Sequence, residues 1–205
     1  MTDRLRLYYS LRSPYAWFAF ERFEEELGAL DLHLDLVPLF PTPENYPNDP
    51  VRFPNKLHYI SQDVARLVRH YGLSFRMPPG IDTDWARAHA ACLAAREFGA
   101  ERRYALEAFR ARWCRGLDVS LDTVISEVAE RVGLDGQVIA RGAADGALQQ
   151  SVSENMEKGQ REHRIFGVPT FVFRGQLYWG HDRMPMLRDA VRRSQQPQVP
   201  VQAPA

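Results

Sequence analysis

The chain has 205 residues, 45% of them hydrophobic, and its 26 basic and 26 acidic side chains cancel to zero net charge. That length can bury the core of one domain, or of a domain with a large insertion, and the balanced charge argues against nucleic acid as a partner. No apolar stretch approaches the ~20 residues of a membrane span, and charged residues and a proline interrupt the first twenty residues. We therefore expect no membrane partner and a cytoplasmic location.

The first informative segment is a short strand that runs into a helix. Residues 4–9 alternate and are rich in aromatic side chains, and residues 15–27 carry apolar side chains at helical spacing. Ser13-Pro14-Tyr15 stands between them, so Ser13 lies at the helix N-terminus, where the dipole, unpaired N–H groups and its own hydroxyl would stabilise a bound thiolate. The alternative is that Ser13 only caps the helix.

The middle of the chain predicts a run of helices. A strand at 32–38 leads through a proline-rich loop to a series of helical patterns. The loop spans 41–54, and the helical patterns span 57–71, 84–98, 101–114, 120–132, 136–141 and 145–163. Cys92 and Cys114 lie in these helices without a Cys-x-x-Cys spacing, which favours buried free thiols. The six histidines show no metal-ligand spacing, so we predict no metal site.

Two further motifs follow towards the C-terminus. Gly167-Val168-Pro169-Thr170 opens a strand, and a second strand at 176–179 completes a hairpin. Gly180-His181-Asp182-Arg183 then begins an amphipathic helix. Asp182 is suited to accept from an ammonium group while nearby N–H groups bind a carboxylate, which are the two charges of a γ-glutamyl head. The alternative is that Asp182 caps the helix.

Taken together, these motifs resemble the DsbA-like branch of the thioredoxin fold. The resemblance is to the group that contains 2-hydroxychromene-2-carboxylate isomerase and kappa-class glutathione transferase, and it covers most of the chain. Four separated matches carry it, in the family's order: Ser13-Pro14-Tyr15, Pro54-Asn55-Lys56 with Tyr59, Asp63 and Arg66, Gly167-Val168-Pro169-Thr170, and Gly180 with Asp182-Arg183. The resemblance implies glutathione as the cofactor.

The resemblance also implies a role for each motif. The hydroxyl of Ser13, the catalytic residue, would hydrogen-bond the glutathione sulfur. A cis peptide bond at Pro169 would turn the backbone of Val168 towards the cysteinyl part of the cofactor. Asp182 would hold the γ-glutamyl head, with His181, where these proteins often have Asn, and Arg183 completing the cofactor site. The residues expected to contact the organic substrate are Tyr15, Lys56, Tyr59 and Trp85.

The fold class implied by the resemblance is α/β, a thioredoxin fold with an inserted all-helical domain, as in DsbA-like proteins. Residues 1–55 and 164–194 would form the thioredoxin-like domain and residues 56–163 the helical insertion domain. The cleft between the two would hold the substrate. Residues 195–205 lack apolar periodicity, which predicts a disordered tail. The family also implies a homodimer.

These inferences predict a glutathione-dependent isomerase similar to 2-hydroxychromene-2-carboxylate isomerase. Transient addition of the thiol to a small conjugated or aromatic carbonyl substrate would let a double bond change geometry. A kappa-like glutathione transferase and a non-catalytic thioredoxin-fold module that binds peptides stay open as alternatives, as does another low-molecular-weight thiol in place of glutathione. A dithiol disulfide oxidoreductase would need a cysteine where the chain has Ser13 or Ala16.

Overall fold

Strands from both ends of the chain share one mixed sheet. The computed structural model describes residues 3–40, 46, 49–80 and 82–196. The strands in these residues are β1 (Asp3–Tyr9), β2 (Leu32–Pro38), β3 (Thr170–Phe173) and β4 (Gln176–Trp179). They lie in the order β2-β1-β3-β4, with β2 parallel to β1, β3 antiparallel to β1 and β4 antiparallel to β3. The N-terminal βαβ unit and the C-terminal hairpin therefore meet at β1 and β3.

Helices occupy most of the remaining described chain. They are α1 (Pro14–Glu21), α2 (Phe23–Leu27), α3 (Pro54–His70), α4 (Trp85–Arg96), α5 (Glu101–Trp113), α6 (Asp122–Arg131), α7 (Gly136–Ala143), α8 (Gly146–His163) and α9 (Met184–Gln195), with 3-10 turns at Pro50–Arg52 and His181–Arg183. Among the described residues, none of these helices has both the length and the apolar character needed to cross a membrane.

Alternation along β1 places side chains on both faces of the sheet. Leu5 and Leu7 are fully buried in the main core, which also takes Trp17 from α1 and Leu187 from α9. Tyr8 belongs to a second, smaller cluster on the other face, with Met156 of α8 and Ile165 among its members. The sheet is thus covered on both faces, and the end of β1 leads from its centre directly to Ser13.

The helix α4 is the centre of the helical layer. Nine of its twelve residues are buried, and five of those nine are alanines. It packs against α5, α7 and α8. A helix that is buried on nearly all sides lies close to its neighbours only where the side chains in between are small.

We expect Gly142→Ala to destabilise the protein by about 1–3 kcal/mol, because the added methyl group would overlap the Cβ of Ala94 where α7 meets α4. Gly146→Ala is the matched control, since a Cβ at the start of α8 meets nothing within 4 Å. Urea unfolding followed by circular dichroism measures both variants. Equal midpoints for the two would contradict the close contact between α4 and α7.

The element order follows the sequence-based expectation, and the helix limits differ from the predicted ones by up to three residues; α3, for example, begins at Pro54 and not at residue 57. The first predicted helix, 15–27, is interrupted at Arg22, whose backbone (φ −94°, ψ −1°) ends α1, and α2 begins at Phe23. The last helix includes Gln195, whose side chain donates to the Asp31 carbonyl, so the helix runs one residue beyond the predicted limit. Residues 197–205 of the predicted disordered tail and half of the proline-rich loop (41–45, 47 and 48) lie outside the described residues. The division into two domains stays a prediction.

Candidate functional site

Ser13 is the N-cap of α1. Its backbone is extended (φ −94°, ψ 117°), Pro14 follows at the first helical position, and its hydroxyl oxygen accepts from the Ala16 N–H at 3.2 Å. The hydroxyl proton has a weaker partner, because its acceptor among the described residues, the Val168 carbonyl, is 3.5 Å away. The capping role uses the oxygen of Ser13 as an acceptor and leaves its proton available to a ligand.

The turn before β3 lies against this serine. The peptide bond between Val168 and Pro169 is cis, and the Pro169 carbonyl accepts from the Gly180 N–H at 2.9 Å, which ties the turn to the end of β4. The backbone N–H groups of Tyr15 and Val168 have no partner among the residues that the structure describes. The serine hydroxyl is therefore accompanied by two backbone donors, one from each end of the chain.

Tyr15 connects this turn of α1 to α3 and to the last motif. Its hydroxyl donates to Asp63 of α3 at 2.9 Å, and its ring stacks on His181 with the centroids 5.9 Å apart. Burial raises the pKa of Tyr15, and the bond to Asp63 acts in the same direction. His181 is buried against Phe18 and Tyr71 as well, and this burial lowers its pKa.

We expect Tyr15→Phe to destabilise the protein by about 1 kcal/mol, because it removes one hydrogen bond to a carboxylate and keeps the ring that stacks on His181. Tyr178→Phe, which removes an exposed hydroxyl bonded to Gln176, is the control and is expected to change stability less. Thermal unfolding compares the two. A larger loss in the control variant would contradict the role of the Tyr15–Asp63 bond.

Asp182 and Arg183 are exposed at the start of the last helix. The Arg183 guanidinium donates to Asp182 at 2.7 Å, and the two side chains are 51% and 57% exposed respectively. The N-cap of α9 is Arg183, which makes no side-chain capping bond, so Asp182 does not cap that helix. The capping alternative for Asp182 is therefore wrong, and its carboxylate stays accessible to a ligand.

The residues predicted to contact substrate do not form a single cluster. Lys56 and Tyr59 are exposed on α3, where the Lys56 ammonium lies 4.5 Å from the centre of the Phe53 ring and Arg66 lies over the Tyr59 ring. Trp85 is buried at the start of α4 beneath the Arg112 guanidinium. The structure thus pairs Ser13 with Val168 and Tyr15 with His181. The roles of Lys56, Tyr59 and Trp85 in substrate binding stay predictions.

An ion pair beside Ser13 was missed by the sequence analysis. Arg12 donates to Asp49 at 2.6 Å and to Asp82 at 2.9 Å, and the side chains of Arg12 and Asp49 are both only 14% exposed. The Trp85 indole also donates to Asp82 at 3.2 Å. Asp49-Pro50 has the appearance of a helix start, and Asp49 does cap the 3-10 turn there. No local pattern indicated that its carboxylate also binds Arg12.

The two cysteines lie in α4 and at the C-terminal end of α5. Both are free; Cys92 is fully buried, and burial raises its pKa to about 12, while Cys114 is half-buried, which also raises its pKa. Among the described residues no group of three His, Cys, Asp or Glu side chains could hold a metal ion. Two surface cavities, of about 310 Å³ along α6 and about 270 Å³ beside β1, β2 and α8, are lined by other residues than Ser13.

Comparison with known proteins gives a family match over nearly the whole chain. The family described as DSBA-like thioredoxin domain matches residues 4–192. A 2-hydroxychromene-2-carboxylate isomerase from Pseudomonas putida is 28% identical over an alignment of 147 residues, and the match covers 67% of this chain and 66% of that relative, just under two thirds of its length.

Solved structures share the architecture. A 2-hydroxychromene-2-carboxylate isomerase superposes with a TM-score of 0.75 at 21% identity, covering 93% of this chain and 95% of that one. The cytosolic disulfide reductase DsbM from Pseudomonas aeruginosa, solved with GSH, superposes with a TM-score of 0.66 at 18% identity, covering 94% and 98% of the two chains. At these identities the likeness to the solved structures is one of fold.

Proposed function

The chain belongs to the DsbA-like thioredoxin domain family, and from that premise we propose that it is a glutathione-dependent isomerase of a small conjugated or aromatic carbonyl compound. The predicted fold class is confirmed by the family match and by the structural neighbours. Relatives named 2-hydroxychromene-2-carboxylate isomerase support an isomerase among the activities known in this family. The thiol dependence rests on the site itself.

One observation carries the proposal: the hydroxyl of Ser13 is held by the Ala16 N–H through its oxygen, and in the described part of the chain its proton has only a 3.5 Å acceptor. A sulfur beside that hydroxyl would receive its hydrogen bond and would also lie at the positive end of the α1 dipole. With serine at this position the chain cannot form a dithiol there, so the thiol has to arrive with a ligand.

The donor set fits a tripeptide thiol. The N–H groups of Tyr15 and Val168, which have no partner in the described part of the chain, offer bonds to a sulfur and to a peptide carbonyl, and the exposed Asp182 carboxylate offers a partner for an ammonium group. The structural neighbour DsbM was solved with GSH, which supports glutathione as a ligand of this fold. We infer that His181, behind Tyr15, supports this site by packing.

Bound glutathione would supply a thiolate that adds to an electron-poor double bond and leaves after rotation about the resulting single bond. Ser13 would hold the sulfur as the anion by hydrogen-bond donation. Val168 and Asp182 would fix the two ends of the cofactor, and the Lys56 ammonium, which has no ion-pair partner in the described part of the chain, would stabilise negative charge on a substrate oxygen. The same residues would serve a kappa-like transferase if the substrate carried a leaving group.

Calorimetric titration of glutathione into the purified protein tests the proposal, with thiolate absorbance recorded in parallel. We expect binding with thiolate formation. S-methylglutathione is the matched ligand, since it keeps the tripeptide contacts and has no thiol to ionise. Absence of glutathione binding would contradict the proposal, and tighter competitive binding of another low-molecular-weight thiol would assign a different cofactor.

A peptide-binding module is the second candidate, and an exposed aromatic pair favours it. Phe166 and Trp179 pack 4.8 Å apart, centre to centre, and each is more than half exposed beside the Val168 turn. Such a pair next to an unpaired backbone N–H suits an extended peptide. This candidate does not need the Ser13 hydroxyl, so peptide binding that survives Ser13→Ala together with no activity on carbonyl substrates would favour it.

A further inference from the structure

The backbone of Leu11, just before Ser13, is hydrogen-bonded on both sides by side chains of the helical layer. The Leu11 N–H donates to His89 Nε2 of α4 at 2.9 Å, and the Leu11 carbonyl accepts from Trp113 Nε1 of α5 at 3.2 Å. Leu11 and His89 are fully buried and Trp113 is nearly so. Both backbone groups of one residue in the β1–α1 turn are thus held by side chains from a different part of the chain.

The hydrogen-bond partners of His89 determine which of its two ring nitrogens carries the proton. Its Nδ1 lies 2.7 Å from the Trp85 carbonyl, which can only accept, so Nδ1 carries the proton and Nε2 is the acceptor for the Leu11 N–H. Its ring stacks on Phe40 with the centroids 6.2 Å apart and packs against Tyr9. A ring that is fixed on its faces and at both nitrogens holds the Leu11 peptide in one place.

Ser13 depends on that peptide for its own position. It lies two residues after Leu11, and its N–H donates to the Ser10 carbonyl at 3.0 Å across the same turn. A displacement of Leu11 therefore moves the oxygen of Ser13 relative to the Val168 turn. Small misplacements of a reacting group lower rates steeply.

We propose that His89 and Trp113 are positioning residues, through which the helical layer sets where the Ser13 hydroxyl stands. This inference rests on the proposed function, because it gives the placement of Ser13 a chemical purpose. Neither residue touches the proposed thiol. Their effect passes through the backbone of Leu11, which explains why a histidine lies among the alanines and other apolar residues on the buried part of α4.

The rate of hydrogen exchange at the Leu11 N–H tests directly whether His89 and Trp113 hold the Leu11 backbone. We compare the wild type with His89→Phe and Trp113→Phe, which keep an aromatic ring and lose the bond, and with His89→Gln, whose amide oxygen can again accept from Leu11. The control is Val128→Ala, a buried truncation on α6 in the same layer. We expect Leu11 exchange to accelerate at least about tenfold in both Phe variants and to recover in His89→Gln. Unchanged exchange in both Phe variants would overturn the inference.

A cysteine introduced at position 13 reports, without glutathione, whether the environment of that residue depends on His89 and Trp113. In a Ser13→Cys, Cys114→Ser protein, the pH dependence of alkylation gives the thiol pKa, which we expect below the ordinary value of about 8.5. Adding His89→Phe or Trp113→Phe should raise it and slow alkylation near pH 7 about tenfold, while Val128→Ala leaves it unchanged. The same thiol pKa in all these proteins would overturn the positioning role.

Glutathione titration distinguishes a failure of the proposed function from a failure of the positioning role. If the wild type binds no glutathione but the alkylation shift is present, the proposed function fails and the positioning of residue 13 stands. If the wild type binds glutathione and His89→Phe, with Ser13 intact, binds it equally well, the positioning role fails and the proposed function stands.

Discussion

Under the proposed function, Ser13→Ala is expected to lower kcat/KM for a 2-hydroxychromene carboxylate, assayed with saturating glutathione, by about 100-fold. Loss of one preorganised donor to an oxyanion costs 10²–10³ in rate in other enzymes, at about 3 kcal/mol, and a sulfur anion accepts a somewhat weaker bond. The hydroxyl of Ser13 stands at the α1 N-terminus, where it accepts from the Ala16 N–H, and it lies 3.5 Å from the Val168 carbonyl. Stopped-flow absorbance of the isomerisation measures the effect.

Two further variants separate chemistry from helix capping. Ser13→Ala also removes the cap of α1, which costs about 1 kcal/mol of stability, so its unfolding midpoint has to be measured beside its rate. Ser13→Thr keeps both hydroxyl and cap and should recover most of the activity. Ser153→Ala removes an exposed helix hydroxyl bonded to the Gln149 carbonyl and should leave the rate unchanged. Wild-type activity in Ser13→Ala would contradict the catalytic role.

Regular elements could be predicted from the sequence because their signals are local. Periodicity gave β2 its observed limits, 32–38, and located each helix of the insertion to within a few residues. Pro14 and Pro54 each stand at the first position of a helix, as their fixed φ favours. The break at Arg22 was missed because apolar spacing continues across it.

Site residues could be predicted from the sequence where the motif that identifies them lies within one short segment. Ser13 before Pro14, and Val168 before Pro169, need only neighbours in the sequence, and the structure brings them within 3.5 Å of each other. The contacts of Arg12 and His89 connect segments 37 to 78 residues apart, and a single arginine or histidine carries no sign of its partner. Trp85 illustrates the same limit, because the sequence pattern around an aromatic residue at a helix start is the same whether its side chain is exposed or, as here, buried.

Acid is expected to destabilise the protein well above the pH at which its carboxylates protonate, because of His89. Complete burial lowers the pKa of His89 to about 4 from its ordinary value of 6.5. Between these values the unfolded chain binds a proton that the folded protein excludes, so the free energy of unfolding falls as the pH falls. Over the whole window the loss from this one group amounts to about 3 kcal/mol.

Other titratable groups also affect how the free energy of unfolding depends on pH. Burial also lowers the pKa of His181, which adds to the loss, whereas burial raises the pKa of Glu101, so protonation of that carboxyl partly opposes it. The pKa of Asp118 is lowered, chiefly by bonds from Thr83 and Ser120 that outweigh its desolvation, so its stabilisation is lost only below its usual value of 3.8. The window between pH 4 and 6.5 is therefore dominated by the two buried histidines.

His89→Gln isolates the contribution of His89 from these other groups. Glutamine cannot titrate, and its amide oxygen can accept from the Leu11 N–H as Nε2 does. Urea unfolding between pH 4 and 7 should give a much shallower pH dependence for the variant than for the wild type, with the two curves separating as the pH falls below 6.5. Val128→Ala, a buried truncation that removes no titratable group, should keep the wild-type slope. Parallel curves for His89→Gln and the wild type would mean that His89 takes up its proton in the folded protein as readily as in the unfolded chain.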